Sequence, residues 1–170
     1  KRQKESDIML IRIAGTVSES IVDGPGIRYT IFTQGCPHHC EGCHNPETHD
    51  FGGGRLADTD KIYKHIVDNP LLKGVTFSGG EPFCQPAPLY DLAKKIKENT
   101  KLDIMSYTGF TFEQLVEKSK TDEDVKNLLS VVDILVDGKF ILAQRSLELH
   151  FKGSRNQRII AVSYTHLTLP

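Results

Sequence analysis

"GVTFSGGEPFCQPAPLYDLAKKIKENTKLDIMSYTG", residues 74–109, decides the fold class. GVTFSGG is an apolar run that ends in glycines, the signature of a buried strand. APLYDLAKKIKEN then sets Leu89, Leu92, Ala93 and Ile96 on one face at helical spacing. LDIMSYTG returns to a strand. Strand, helix, strand in this order is the unit that joins parallel strands through a helical crossover. Sheets built this way gather their chemistry at the carboxyl ends of the strands.

The alternation continues in both directions. Upstream, IMLIRIAG and IRYTIFTQG read as strands, FGGG at 51–54 as a flexible link, and DTDKIYKHIVDN as a helix with a capping Asp that stops before Pro70. Downstream, FEQLVEKS and DEDVKNLLS are helical, VVDILVDG is an uninterrupted buried strand, and QRIIAV is another. The expected class is α/β with a mostly parallel sheet. There is no repeat, low-complexity tract or interdomain linker, so one domain is expected over residues 9–160. Residues 1–8 read as a polar lead, and 161–170 as a disordered or non-native tail.

Composition narrows the functions. The chain has 170 residues, 25% of them charged, with a formal net charge of −1. That leaves no basic footprint for nucleic acid, and no apolar run is long enough for a membrane span. The first residues hold too short an apolar core for a secretory signal. A cytoplasmic protein with reduced thiols is expected. Disulfides among the clustered cysteines would close strained small loops, so a metal is the better reading.

The cysteine cluster is "GCPHHCEGCHNP", residues 35–46, with the spacing C-x3-C-x2-C at Cys36, Cys40 and Cys43. A structural zinc site wants four protein ligands, and His38, His39 or His44 is available as the fourth. An iron–sulfur cube usually takes four thiolates, one per iron. With three, one iron stays open to another ligand. Cys84 is either a missing fourth ligand or, more simply, a buried thiol. His38 and His39 read as solvated loop residues, and His44 equally as a loop hydrogen-bonder or a ligand contact.

The second motif is "TFSGGEP", residues 76–82. Gly79 and Gly80 lack a Cβ, so their backbone can approach a ligand at the strand end. A phosphate loop is disfavoured, because Glu81 repels phosphate and no Lys-Ser/Thr pair follows. Backbone carbonyls beside a carboxylate suit an ammonium group. The bland alternative is a tight turn before Pro82.

Three cysteines at C-x3-C-x2-C, followed by Gly-Gly-Glu-Pro, resemble the radical S-adenosylmethionine superfamily. The resemblance implies that Cys36, Cys40 and Cys43 hold a [4Fe–4S] cluster, and that S-adenosylmethionine chelates the open iron. It also implies that Gly79, Gly80 and Glu81 receive the methionine ammonium, with Ser78, Gly42, Cys43 and His44 around the cofactor. Reductive cleavage would then yield a 5′-deoxyadenosyl radical. The fold it implies is a partial (β/α) barrel, whose wide mouth suits a protein substrate.

"VDGPGIRYTIFTQGC", residues 22–36, is similar to the glycyl-radical-enzyme activating proteins. Short length, Gly42 and GSRNQRI near the end look most like those that act on anaerobic ribonucleoside-triphosphate reductase. The similarity implies that reductase as partner and a low-potential donor such as flavodoxin. It also implies roles at the partner's glycine loop for Asp23 and Arg28, and a place facing the cofactor for Asp137 and Lys139. YTGF, residues 107–110, is a weaker candidate of the same kind. Gly42 departs from the many superfamily members that carry an aromatic residue there. Alternatives are activation of another glycyl-radical enzyme such as pyruvate formate-lyase, a radical enzyme acting on a small molecule, and a non-catalytic zinc-binding interaction domain.

Overall fold

The strands are β1 (Leu10–Ser20), β2 (Arg28–Thr33), β3 (Arg55–Asp58), β4 (Gly74–Gly79), β5 (Asp103–Tyr107), β6 (Ile134–Asp137) and β7 (Arg158–Ala161) in a computed structural model that describes residues 8–162 apart from 147. The helices are α1 (Thr59–Val67), α2 (Pro86–Asn99), α3 (Phe112–Ser119) and α4 (Glu123–Val131). One seven-stranded sheet runs in the order β3-β1-β2-β4-β5-β6-β7. Its centre, β2-β4-β5-β6, is parallel; the β3-β1, β1-β2 and β6-β7 pairings are antiparallel.

The expected mostly parallel sheet is therefore mixed. β1 and β2 are joined by residues 21–27 only, too short for the dozen or more residues that a parallel crossover needs, so they pair as a hairpin. β3 was not anticipated. It follows the 51–54 glycine stretch and borders β1 through four residue pairs, Leu10↔Asp58 to Ile13↔Arg55. The tail expected from residue 161 starts later: Ala161 ends β7 and Val162 is fully buried, its N–H donating to Asp133. The leads at 1–7 and 163–170 lie outside the described residues.

Local chemistry sets the helix ends. The Asp58 carboxylate caps α1 by accepting from the Asp60 N–H. Thr111 and Gln114 form a capping box on α3, and Asp122 caps α4. Leu89, Leu92, Ala93 and Ile96 of α2 are all fully buried, as their spacing predicts. α2 packs between α1 and α4, and α4 also touches α3.

Strand alternation divides the sheet. Tyr29, Ile31, Val75, Phe77, Ile104 and Leu135 join the core shared with the helices. The residues between them, Arg28, Thr30, Thr76, Met105 and Val136, are also buried but stand outside that core, on the opposite face. Burial on both faces is the usual state of parallel strands. Among the described residues, no helix is long and apolar enough to cross a membrane.

Candidate active site

At the carboxyl ends of the parallel strands lies a cavity of about 410 Å³. Cys36, Cys40 and Cys43 line it together with Ser78, Gly79 and Gly80, so the two motifs meet in space. The meeting is built by backbone. The Gly80 N–H donates to Thr33, and the Glu81 N–H to Gly35, at 2.7 and 2.8 Å. A Cβ on Gly79 (φ +89°) would stand 2.6 Å from the Thr33 nitrogen, and one on Gly80 2.4 Å from the Gly35 oxygen. Both contacts are with backbone that cannot yield, so glycine is required for this approach.

The cysteine loop is held at both ends. The Cys36 N–H donates to His49, and the Cys43 N–H to Cys40. The Gln34 amide donates to the Glu47 and Asp50 carbonyls, tying the loop's exit to its entry. Burial raises the Cys36 thiol above its ordinary pKa; the His38 backbone N–H opposes this, and Glu81 and the other two cysteines add to the rise. Gly42 has φ +72°, and a Cβ there would stand 2.8 Å from Leu142. Gly42 itself is absent from the cavity lining, unlike Cys43 and His44 beside it.

The donor set fits an iron–sulfur cube. Cys36, Cys40 and Cys43 all line the same cavity. A cube takes one thiolate per iron, so its ligands ring a volume rather than meet at a point. The His49 Nε2 is buried without a hydrogen-bond partner, and His49 lines the same cavity as the three thiols.

Several expected roles are corrected. His38 is not a solvated loop residue: its side chain is 6% exposed, and its Nε2 lies 2.6 Å from Glu81. His39 is exposed, and His44 is exposed but stands at the cavity, its ring 5.0 Å from that of Phe140. Cys84 is exposed rather than buried, and it is absent from the cavity lining. Arg28 cannot reach a partner, because it is fully buried. It donates to Thr76, to the Pro25 and Val75 carbonyls and to Asp103. Its effect is to clamp the 23–26 turn against β4, aided by the Thr76 hydroxyl, which donates to the Asp23 carbonyl. Asp23 itself lines the cavity, with its carboxylate held by Ser20.

Asp137 and Lys139 do not face the cavity. Alternation from Leu135 puts Asp137 on the helix side, where it accepts from the Phe112 N–H at the start of α3 and from Arg158. Lys139 is exposed and outside the lining. Gly138, between them, is the residue that lines the cavity. From the 107–110 candidate, Tyr107, Thr108 and Gly109 do line it. Burial and then the nearby Asp23 hold the Tyr107 hydroxyl well above the ordinary tyrosine pKa. Sequence reasoning missed His49, Phe140, Phe151 and Gln157 as cavity residues.

The chain matches the family described as "4Fe-4S single cluster domain" over residues 22–160. It is 37% identical over 147 residues to the anaerobic ribonucleoside-triphosphate reductase-activating protein of Vibrio cholerae serotype O1, covering 82% of this chain and 90% of that one. The protein of the same name from Haemophilus influenzae is 33% identical over 146 residues, with the same coverage of each chain. The pyruvate formate-lyase-activating enzyme of Clostridium pasteurianum is 38% identical over 114 residues, covering 62% of this chain and 48% of that one. With a single-cluster profile over most of its length and relatives matched nearly end to end, the chain belongs to the 4Fe–4S single-cluster family of anaerobic ribonucleoside-triphosphate reductase-activating proteins.

Proposed function

We propose that this chain is a radical S-adenosylmethionine activase that generates a glycyl radical on an anaerobic ribonucleoside-triphosphate reductase. The observation that carries the reading is the shared cavity: three cysteines and the backbone of residues 78–80 line one space at the strand ends. When bound, the [4Fe–4S] cluster supplies the electron that cleaves S-adenosylmethionine to a 5′-deoxyadenosyl radical. Cys36, Cys40 and Cys43 hold the cluster. Ser78, Gly79 and Gly80 offer backbone to the methionine end, and Cys43 and His44 border the other side. Asp23 stands at the cavity wall where the partner's glycine loop enters, on a turn that Arg28 keeps rigid.

The single domain spans residues 9–162, with the sheet as a partial (β/α) barrel. Its open side admits a loop of a large protein. A low-potential donor such as flavodoxin delivers the electron.

Anaerobic reconstitution tests the reading. The loaded protein turns brown, releases 5′-deoxyadenosine under reduction, and gives a glycyl-radical electron paramagnetic resonance signal on added reductase. A colourless zinc protein would sink it; a signal on pyruvate formate-lyase alone would redirect it. Cys40→Ala removes cluster absorbance and cofactor cleavage while leaving the far-ultraviolet circular dichroism of the fold, because the loop lies outside the sheet. Cleavage retained at the wild-type rate would refute the ligand assignment.

A further inference from the structure

Glu81 is expected from its motif to face the cofactor, yet its carboxylate is fully buried and does not line the cavity. Oε1 accepts from the Gly109 N–H at 2.7 Å, from the Thr108 hydroxyl at 2.9 Å and from the His38 Nε2–H at 2.6 Å. Oε2 accepts from the Phe83 N–H at 3.0 Å. A carboxylate offers about four lone-pair sites. The Thr108 hydroxyl is shared with Oε2 at 3.0 Å, so both oxygens are engaged by the protein's own donors, on a carboxylate that does not face the cavity.

His38 is seated as deliberately as its partner. Its ring meets Phe110 edge to face at 4.6 Å. A Cβ on Gly109 would stand 2.3 Å from the same ring, so the socket is cut to the imidazole. His38 lies between Cys36 and Cys40, and its own backbone N–H acts on the Cys36 sulfur. Thr108 is fixed in turn, because its N–H donates to Val136 of β6.

We propose that Glu81 is a latch on the cysteine loop rather than a cofactor ligand, and that His38 is the positioning residue through which it acts. The latch ties the loop to the ends of β4 and β5 before any cofactor arrives. It rests on the cluster reading above, and its consequence is cluster retention and tuning, since outer-shell hydrogen bonds fix ligand orientation and iron–sulfur potentials.

The test is a double-variant cycle on the anaerobically reconstituted protein, reading the rate of iron loss to a chelator, the cluster midpoint potential and the Kd for S-adenosylmethionine. His38→Ala and Glu81→Ala should each speed iron loss about tenfold, the equivalent of one charge-assisted hydrogen bond. The double variant should be no faster than either single one. His38→Gln keeps an N–H on a similar reach and should restore slow loss and the wild-type potential, which a merely space-filling role would not do. Rates that multiply in the double variant would overturn the latch. So would a Glu81→Ala protein with wild-type iron loss and weakened cofactor binding. If Glu81→Ala does not fold, the His38→Ala and His38→Gln pair decides alone: equal loss rates in both and in wild type overturn the proposal. Wild-type protein that loads no cluster at all would instead sink the functional reading.

Discussion

Glu81 lies just past the end of β4 and Asp137 at the end of β6, and the two carboxylates are 0% and 1% exposed. Their surroundings differ in kind. Glu81 collects two backbone N–H groups, a hydroxyl and an imidazole, and through the imidazole it reaches the cysteine loop. Asp137 collects the Arg158 guanidinium and the N–H that starts α3, and it reaches only β7 and that helix. A strand-end position alone does not make a carboxylate part of a site. The face on which it emerges decides, and the pleat sets that face.

This contrast breaks if the wrong corner governs the cluster. The largest effect on stability is expected at Asp137. Asp137→Ala leaves the Phe112 N–H and the Arg158 N–H without their acceptor and should cost ~2–4 kcal/mol in urea unfolding, discounted because the Arg158 side chain is half-exposed. Its iron retention should match wild type; faster loss would erase the distinction between the corners. Gly109→Ala should come next, at about 1–3 kcal/mol, because the new methyl drives the His38 ring from its socket. This variant should also lose iron faster. An unchanged rate would mean that the socket has no bearing on the loop.

The smallest effect is a pH dependence at the Asp137 corner. The hydrogen bonds from Arg158 hold the Glu113 carboxyl below its ordinary pKa, though the Glu113 side chain is two-thirds exposed. A carboxyl lowered on folding contributes stability above its unfolded pKa and loses it as pH falls through the folded value. Glu113→Gln should therefore lower stability by ~0.5 kcal/mol or less at neutral pH, with the difference vanishing in acid. A difference that grew on acidification would reverse the assignment.

Much of the fold was legible. Leu89, Leu92, Ala93 and Ile96 predict the buried face of α2, and the Asp58 cap of α1 lies where the local sequence puts it. β3 was not legible, because four residues after a glycine run carry too little pattern to separate a strand from a link. Asp137 and Lys139 were misread because proximity to a strand end was weighed without counting alternation from Leu135. His38 was misread because two adjacent loop histidines look alike in sequence; one is closed in by Phe110 and Gly109, whereas the other is exposed.

By itself, the sequence determined the alternating α/β class, the three clustered thiols and the glycines that let β4 approach the cysteine loop. These are local properties, written in spacing and residue type. Only the tertiary structure decided that Arg28 braces a turn from inside, that His49 joins the cavity, and that Glu81 is held by four donors drawn from three places in the chain, 38, 83 and 108–109. The partners of a buried polar group come from distant segments, and the need to satisfy every one of them is met only when those segments pack together.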